Sequence, residues 1–186
     1  AFSELRDLTA SLKKVRLDVF YQKNDKDMLN HVQVAGMPLI IDNLADNSLD
    51  QYGLSIQSDW AVLDSTFIVA GYEFNYDDLD AKSITHRMMP TGPTMSTLFV
   101  KTGFFDGSMS THALFASAET VTLSYGARYT YVKSDMKDIH GSKVGASGQP
   151  MPFDPDTELG KDGKQHDDRV VFNAGVVWRP INELAL

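Results

Sequence analysis

Thr120-Val-Thr-Leu-Ser-Tyr-Gly-Ala-Arg-Tyr-Thr-Tyr-Val132 is the stretch on which the fold turns. Val121, Leu123, Tyr125, Ala127, Tyr129 and Tyr131 fall on one side of an extended chain. Thr122, Ser124, Gly126, Arg128 and Thr130 fall on the other. Side chains of a strand alternate between faces, so one face here is apolar and the other is polar and carries a full charge. The pattern recurs along the chain. Tyr52, Leu54, Ile56, Trp60 and Val62 oppose Gln51, Gly53, Ser55, Gln57 and Asp59. Ile68, Ala70, Tyr72, Phe74 and Tyr76 oppose Gly71, Glu73, Asn75 and Asp77. Val170, Phe172, Ala174, Val176 and Trp178 oppose Arg169, Asn173 and Gly175, blurred by Val171 and Val177. Val15, Leu17, Val19 and Tyr21 oppose Arg16, Asp18 and Gln22, with Phe20 as the exception.

Six strands are expected: Val15–Lys23, Gln51–Val62, Thr66–Asp77, Ser110–Ser117, Thr120–Lys133 and Arg169–Trp178, with a seventh starting near Leu184. Tight connections at Leu63–Ser65, Ala118–Glu119 and Arg179–Glu183 alternate with long ones at Asn24–Asp50, Asp78–Met109 and Ser134–Asp168. Ala1–Leu12 reads as a connection holding a turn of helix. Compact soluble domains seldom carry a structureless loop beyond roughly a dozen residues. Bacterial outer-membrane barrels alternate short periplasmic turns with long extracellular loops. Trp60 and Trp178 sit near the tight turns, and Tyr21, Tyr76, Tyr129 and Tyr131 near the long connections, as interfacial aromatic belts require. The expected fold is therefore all-β, an antiparallel meander of six or seven strands forming a segment of a transmembrane β-barrel. A soluble antiparallel sandwich with long recognition loops is the alternative. The two differ in whether Leu123, Tyr125, Tyr129, Ile56, Ile68 and Phe172 form one outward band or close on a second sheet. Pro and Gly gather in the long connections, so irregular chain is expected there.

Composition narrows the field. A chain of 186 residues is one-domain sized. A net charge of −8 with no basic stripe excludes nucleic acid as a partner. The absence of cysteine discriminates little. No apolar run reaches the length of a transmembrane helix, which leaves barrel strands untouched because their apolar face hides in alternation. Ala1-Phe-Ser-Glu-Leu5 has none of the features of a signal peptide. Six or seven strands also fall short of the about eight in the smallest membrane barrels. Residues 1–186 are thus expected to be part of a barrel domain within a longer chain.

Several segments resemble the barrel of TonB-dependent outer-membrane receptors. Leu17-Asp-Val-Phe-Tyr-Gln-Lys-Asn-Asp25 is similar to that family's strand-then-loop segment. Gln51-Tyr-Gly-Leu-Ser-Ile-Gln-Ser-Asp-Trp60 with Phe67-Ile-Val-Ala-Gly-Tyr-Glu-Phe-Asn-Tyr-Asp-Asp78 resembles its recurrent hairpin. So does Ala113-Leu-Phe-Ala-Ser-Ala-Glu119 with Leu123-Ser-Tyr-Gly-Ala-Arg-Tyr129. Val171-Phe-Asn-Ala-Gly-Val-Val-Trp-Arg-Pro180 and Leu184-Ala-Leu186 look like the lead into a further strand. The resemblance implies a barrel of about 22 strands, plugged by a separate N-terminal domain and set in outer-membrane lipid. It implies a receptor, not an enzyme, which imports a scarce small-molecule metal complex with energy delivered by TonB through the plug. No intrinsic cofactor is implied. The cargo would most commonly be an iron–siderophore, with haem or copper also open.

Candidate ligand residues lie in the long connections. All eight methionines fall there or at their margins, and His31, His86, His140 and His166 accompany them. Thioether and imidazole suit copper or haem iron, and His86, Met88 and Met89 are the densest group. A siderophore would instead favour aromatic and basic groups such as Phe99, Lys101, Phe104 and Phe105. Asp154-Pro-Asp-Thr-Glu-Leu-Gly-Lys-Asp-Gly163 fails as a calcium loop, with Leu159 where a glycine is needed and Gln165 in place of the closing glutamate. Ser110 and His112 share a strand face without an orienting acid, so no hydrolase is expected. Asp59, Glu73, Asp77 and Arg128 read as lumen-lining partners of one another or of the plug.

Overall fold

A computed structural model describes residues 1–33, 35–63, 65–91, 93–120 and 123–176. They form one antiparallel sheet of seven strands in chain order. The strands are β1 (Phe2–Arg6), β2 (Leu12–Gln33), β3 (Ile40–Leu63), β4 (Thr66–Thr91), β5 (Thr94–Thr120), β6 (Leu123–Gly145) and β7 (Gly163–Val176). Every strand pairs with its sequence neighbours, and among the described residues the sheet does not close on itself. One short helix, α1 (Pro155–Glu158), lies in the connection from β6 to β7.

The register aligns the apolar positions across all the long strands. Leu17, Ile56, Tyr72, Leu114, Tyr129 and Val170 are successive cross-strand partners. Val15, Ser58, Ala70, Ala116, Ala127 and Phe172 form the next row on that face. Leu12, Trp60, Ile68, Ala118, Tyr125 and Ala174 form the row beyond it. No second sheet covers these side chains among the described residues, and Phe172 is 77% exposed. A soluble sandwich would bury this face, so that alternative falls. Among the described residues only Ala81, Ala113 and Ala118 are buried hydrophobics, as expected when the apolar surface faces lipid.

At one end the band stops at Tyr21, Tyr52 and Tyr76, with ring centroids 5.1 and 6.4 Å apart. At the other it stops near Trp60. Eight residue steps separate Tyr52 from Trp60, about 27 Å along a strand. At the usual barrel tilt that spans roughly 20 Å of height, close to the about 25 Å apolar belt of such proteins. Beyond Trp60 the strands end within a few residues, whereas beyond the tyrosines β2–β5 run on for more than ten, the asymmetry of a barrel with a short rim and a tall one.

The other face is mainly polar, and two of its phenylalanines are each set over a glycine on the neighbouring strand. Phe20 covers Gly53, its cross-strand partner, and Phe115 covers Gly71 in the same way. A side chain at either glycine would collide with the ring. That explains why Phe20 departs from the alternation of its strand.

Three expectations need correcting. Asn24–Asp50 and Asp78–Met109 are not irregular loops: β2 and β3 stay paired to Gln33 and Ile40, and β4 and β5 to Thr91 and Thr94. Among the described residues the long loop is in the Ser134–Asp168 connection, running from Ala146 to Asp162, with a short one at 35–39. Above the tyrosines both faces meet water, so hydrophobic alternation ends although the backbone ladder continues. Pro90, close to its hairpin tip, and Gly141 therefore sit within strands. Second, residues 2–6 form β1, paired to β2 from Phe2↔Asp18 to Arg6↔Lys14, where a turn of helix was expected. Third, β5 runs through Ala118–Glu119 to Thr120, and β6 resumes at Leu123, so that turn lies a few residues later. The expected Arg179–Glu183 turn, Trp178 and the strand at Leu184 lie outside the described residues.

The two faces can be separated at adjacent positions. Ile56 has Leu17 and Tyr72 as lateral partners, whereas Ser55 has Asp18 and Glu73. Ile56→Arg should destabilise the full receptor by about 2–4 kcal/mol in bilayer folding titrations. Ser55→Arg, flanked by carboxylates, should cost far less, and equal costs would refute the facing.

Candidate functional site

The inward face below the tyrosine level is a network of paired polar groups. Arg128 on β6 reaches over β5 to Glu73 on β4, Nη2 to Oε2 at 2.5 Å, with its guanidinium 5.9 Å from the Phe115 ring. Lys14 meets Asp59 at 2.6 Å, and Gln51 donates to Asp77 at 2.9 Å. These four sequence candidates thus line the inner wall with partners in place. His112 is elsewhere, on the lipid-side face, with Nδ1 2.8 Å from the Tyr72 hydroxyl and its ring among Phe74 and Tyr131. It belongs to the aromatic girdle, and among the described residues no acid bonds to it.

Above the tyrosines the two faces of β2–β5 carry opposite charge. Asp25, Asp27, Asp42, Asp46, Asp50, Asp78, Asp80 and Asp106 share the outward face with Lys23 and Lys82. The inward positions of the same segments hold Lys26, Arg87 and Lys101, and their one carboxylate, Asp77, sits immediately above the tyrosines and is bonded by Gln51. On β6, Lys143 joins the inward set as the partner of Lys101.

Lys143 faces inward because of a bulge. Phe104 pairs with His140 but Asp106 pairs with Lys137, so two residues of β6, Asp138 and Ile139, oppose Phe105 alone, and the one extra residue inverts the side-chain parity of β6 beyond it. Asp138, at φ 55°, supplies the left-handed residue that such a kink needs, and aspartate tolerates that region better than most residues. Beyond it, Gly141, Lys143 and Gly145 face inward, while His140, Ser142 and Val144 face outward. Phe99 then lies between two cations, 4.8 Å from Lys143 Nζ and 5.3 Å from the Arg87 guanidinium. Cations over an aromatic face are attracted by its quadrupole.

The loop after β6 folds onto this inward surface. Leu159 packs where a side chain on Gly103 would stand, and Phe153 does the same at Gly141. Lys101 Nζ donates to the Glu158 carbonyl at 3.2 Å, and Lys143 Nζ meets the Glu158 carboxylate at 3.3 and 3.4 Å.

The ligand candidates divide between the faces. Phe99, Lys101 and Phe105 face inward, whereas Phe104 faces outward with its ring stacked on His140 at 5.1 Å. His86 and Met88 lie on the outward face, in line with Asp42 and Ile40, and Met89 takes the opposite face. His31 Nδ1 lies 2.6 Å from Asp42 Oδ1 on that outer wall. Among the described residues no group of three or more His, Asp or Glu is placed to hold a metal ion. Arg87 and Lys143 escaped sequence reading because their facing depends on the Asp138 bulge and on ladder beyond the apolar band.

A family model described as TonB dependent receptor-like, beta-barrel matches residues 4–186. The chain belongs to the TonB-dependent receptor β-barrel family. This family comprises outer-membrane transport receptors of Gram-negative bacteria, not enzymes, which work with TonB on small-molecule ligands. Comparison with curated proteins gives no match.

Two outcomes check this geometry. Asp138→Gly or Asp138→Asn should leave receptor stability within about 1 kcal/mol, while Asp138→Val should cost about 1–2 kcal/mol or more, read by denaturant unfolding. Asp106 is held above the usual carboxylate range, first by desolvation and then by the neighbouring Asp80 and Asp138 carboxylates. A raised folded pKa means the fold binds that proton more tightly than the unfolded chain, so stability falls as pH rises past the unfolded value. Asp106→Asn should therefore raise thermal stability at neutral pH, and the gain should vanish on acidification below the carboxylate range.

Proposed function

We propose that the chain forms part of the wall of an outer-membrane receptor that captures and imports an anionic metal chelate, a ferric siderophore or haem. The observation that carries this reading is the charge segregation above the girdle, with Arg87, Lys101 and Lys143 gathered inward around Phe99 and the aspartates turned outward. Guanidinium and ammonium groups bind carboxylate or catecholate oxygens through charge-assisted hydrogen bonds, and the phenyl ring suits a flat aromatic donor. The edges of β1 and β7 that are unpaired among the described residues would be closed by further strands of the same barrel, since an open edge does not persist in hydrocarbon. A plug domain within that barrel couples it to TonB.

Copper capture by His86, Met88 and Met89 is less well supported. His86 and Met88 share the outer wall, away from the lumen, and Met89 is turned from them. The deciding experiment measures binding of ferric tris-catecholate, haem and copper to the intact receptor. Arg87→Ala with Lys101→Ala should weaken the anionic chelates at least tenfold and flatten their salt dependence. His86→Ala with Met88→Ala should change them by less than twofold. The reverse pattern would hand the site to the outer-wall cluster.

A further inference from the structure

The loop between β6 and β7 has the construction of a removable part. Its first residues extend the ladder, with Gly145 N bonded to Gln149 O at 2.9 Å and Met151 N to Lys143 O at 2.9 Å. From Pro152 to Asp162 the backbone bonds are internal to the segment. Its attachments to the wall are made through side chains or to the Glu158 carbonyl: Phe153 at Gly141, Leu159 at Gly103, Glu158 with Lys101 and Lys143, and Asp162 Oδ1 accepting from Ile139 N at 3.3 Å. Gly160 at φ 132°, within the segment near its far end, has a backbone conformation that side-chain-bearing residues rarely adopt. The segment can leave the wall without breaking a strand ladder, with Gly160 as a backbone pivot near its far end.

What it brings to the wall is a carboxylate. On the inward face above the girdle β2–β5 have only Asp77, at the tyrosine level and bonded to Gln51, and Arg87, Lys101 and Lys143 stand together further up the wall. Glu158 occupies that cationic group with both carboxylate oxygens on Lys143 and its own carbonyl on Lys101. Arg87 has no carboxylate at ion-pair distance among the described residues. One internal anion is thus matched to a site with charge left over for a second. The apolar anchors rest on glycines, so that after departure they leave open wall beside Phe99 and the two lysines.

We propose that residues 152–162 form a ligand-displaced latch in which Glu158 stands in for the anionic group of the incoming chelate. This rests on the reading of the mouth as the capture site and deepens it, since only an anionic ligand competes with Glu158 for Lys101 and Lys143. In the resting receptor the strap covers the inner wall, and an anionic chelate takes over the cations and frees it. A neutral chelate lacks that lever.

The test uses the intact receptor with Gly103→Cys and Leu159→Cys, positions at which a side chain on residue 103 would touch residue 159. The probes are ferric tris-catecholate, haem and a neutral ferric tris-hydroxamate. Cross-linking should proceed in the resting protein and slow at least fivefold with the two anionic probes. The oxidised lock should lower their affinity at least tenfold, with recovery on reduction. Glu158→Gln, which needs no cysteine, should raise affinity for the anionic probes severalfold and for the hydroxamate less. If the lock leaves the binding of anionic chelates unchanged and they do not slow its formation, the latch is refuted while the capture site stands. If no probe binds the unlocked wild-type receptor, the capture reading fails and the latch fails with it.

Discussion

In hydrocarbon a backbone amide has no water to bond, so a chain that crosses a bilayer by strands must pair nearly every N–H and C=O with its neighbours. That requirement governs this protein more than any side chain. It fixes an uninterrupted meander from β1 to β7, in which each strand bonds the ones before and after it. With the ladder fixed, register follows from the apolar face, because a slip of one residue would turn Leu17, Ile56, Tyr72 and Leu114 toward the lumen and Arg16, Ser55, Glu73 and Ala113 toward lipid. The Arg128–Glu73 bridge and the Lys14–Asp59 pair can then exist only on the inner wall.

Glycine and phenylalanine show how the two walls settle a local conflict. An aromatic ring on the inward face of β2 or β5 needs room, and the neighbouring strand provides it with a glycine in register. Phe20 over Gly53 and Phe115 over Gly71 are the same solution used twice. The ring in turn shields strand backbone that a glycine leaves bare. In sequence Phe20 looked like a defect in the alternation of its strand. Its partner is thirty-three residues away, so only the register explains it.

Much of the membrane-spanning wall was legible in the sequence, because a lipid-facing strand writes its period into hydrophobicity. Leu123, Tyr125, Ala127 and Tyr129 reveal β6 without any partner. Above Tyr21, Tyr52 and Tyr76 the same strands became illegible, since water on both faces removes the alternation while leaving the hydrogen bonds. That is why Asn24–Asp50 and Asp78–Met109 read as loops. β1 was missed for a related reason, as five residues with one bonded neighbour carry too little period to register. The candidate site depends on facing in that upper region, and there sequence gave residue types without sides. Phe104 and Phe105 look equivalent as a dipeptide, yet one stacks on His140 outside and the other lines the interior.

Facing is also where the mouth gets its chemistry. A net charge of −8 on the chain would suggest a surface hostile to anions everywhere. Strand parity divides that charge instead. The aspartates at 25, 27, 42, 46 and 50 and at 78, 80 and 106 share one parity on their strands and lie outward, while Lys26, Arg87 and Lys101 take the other. At Asp138 the bulge switches the parity of β6, and Lys143 is added to the inner set. Fields from charges in a cleft with low-dielectric walls are focused toward its interior and are screened less than those on an open surface. An anion near the rim is therefore repelled by the outer wall and drawn to the inner one. The charge that each wall presents is set by which side of a single layer of backbone each residue occupies, and one left-handed aspartate decides that for the last inward cation.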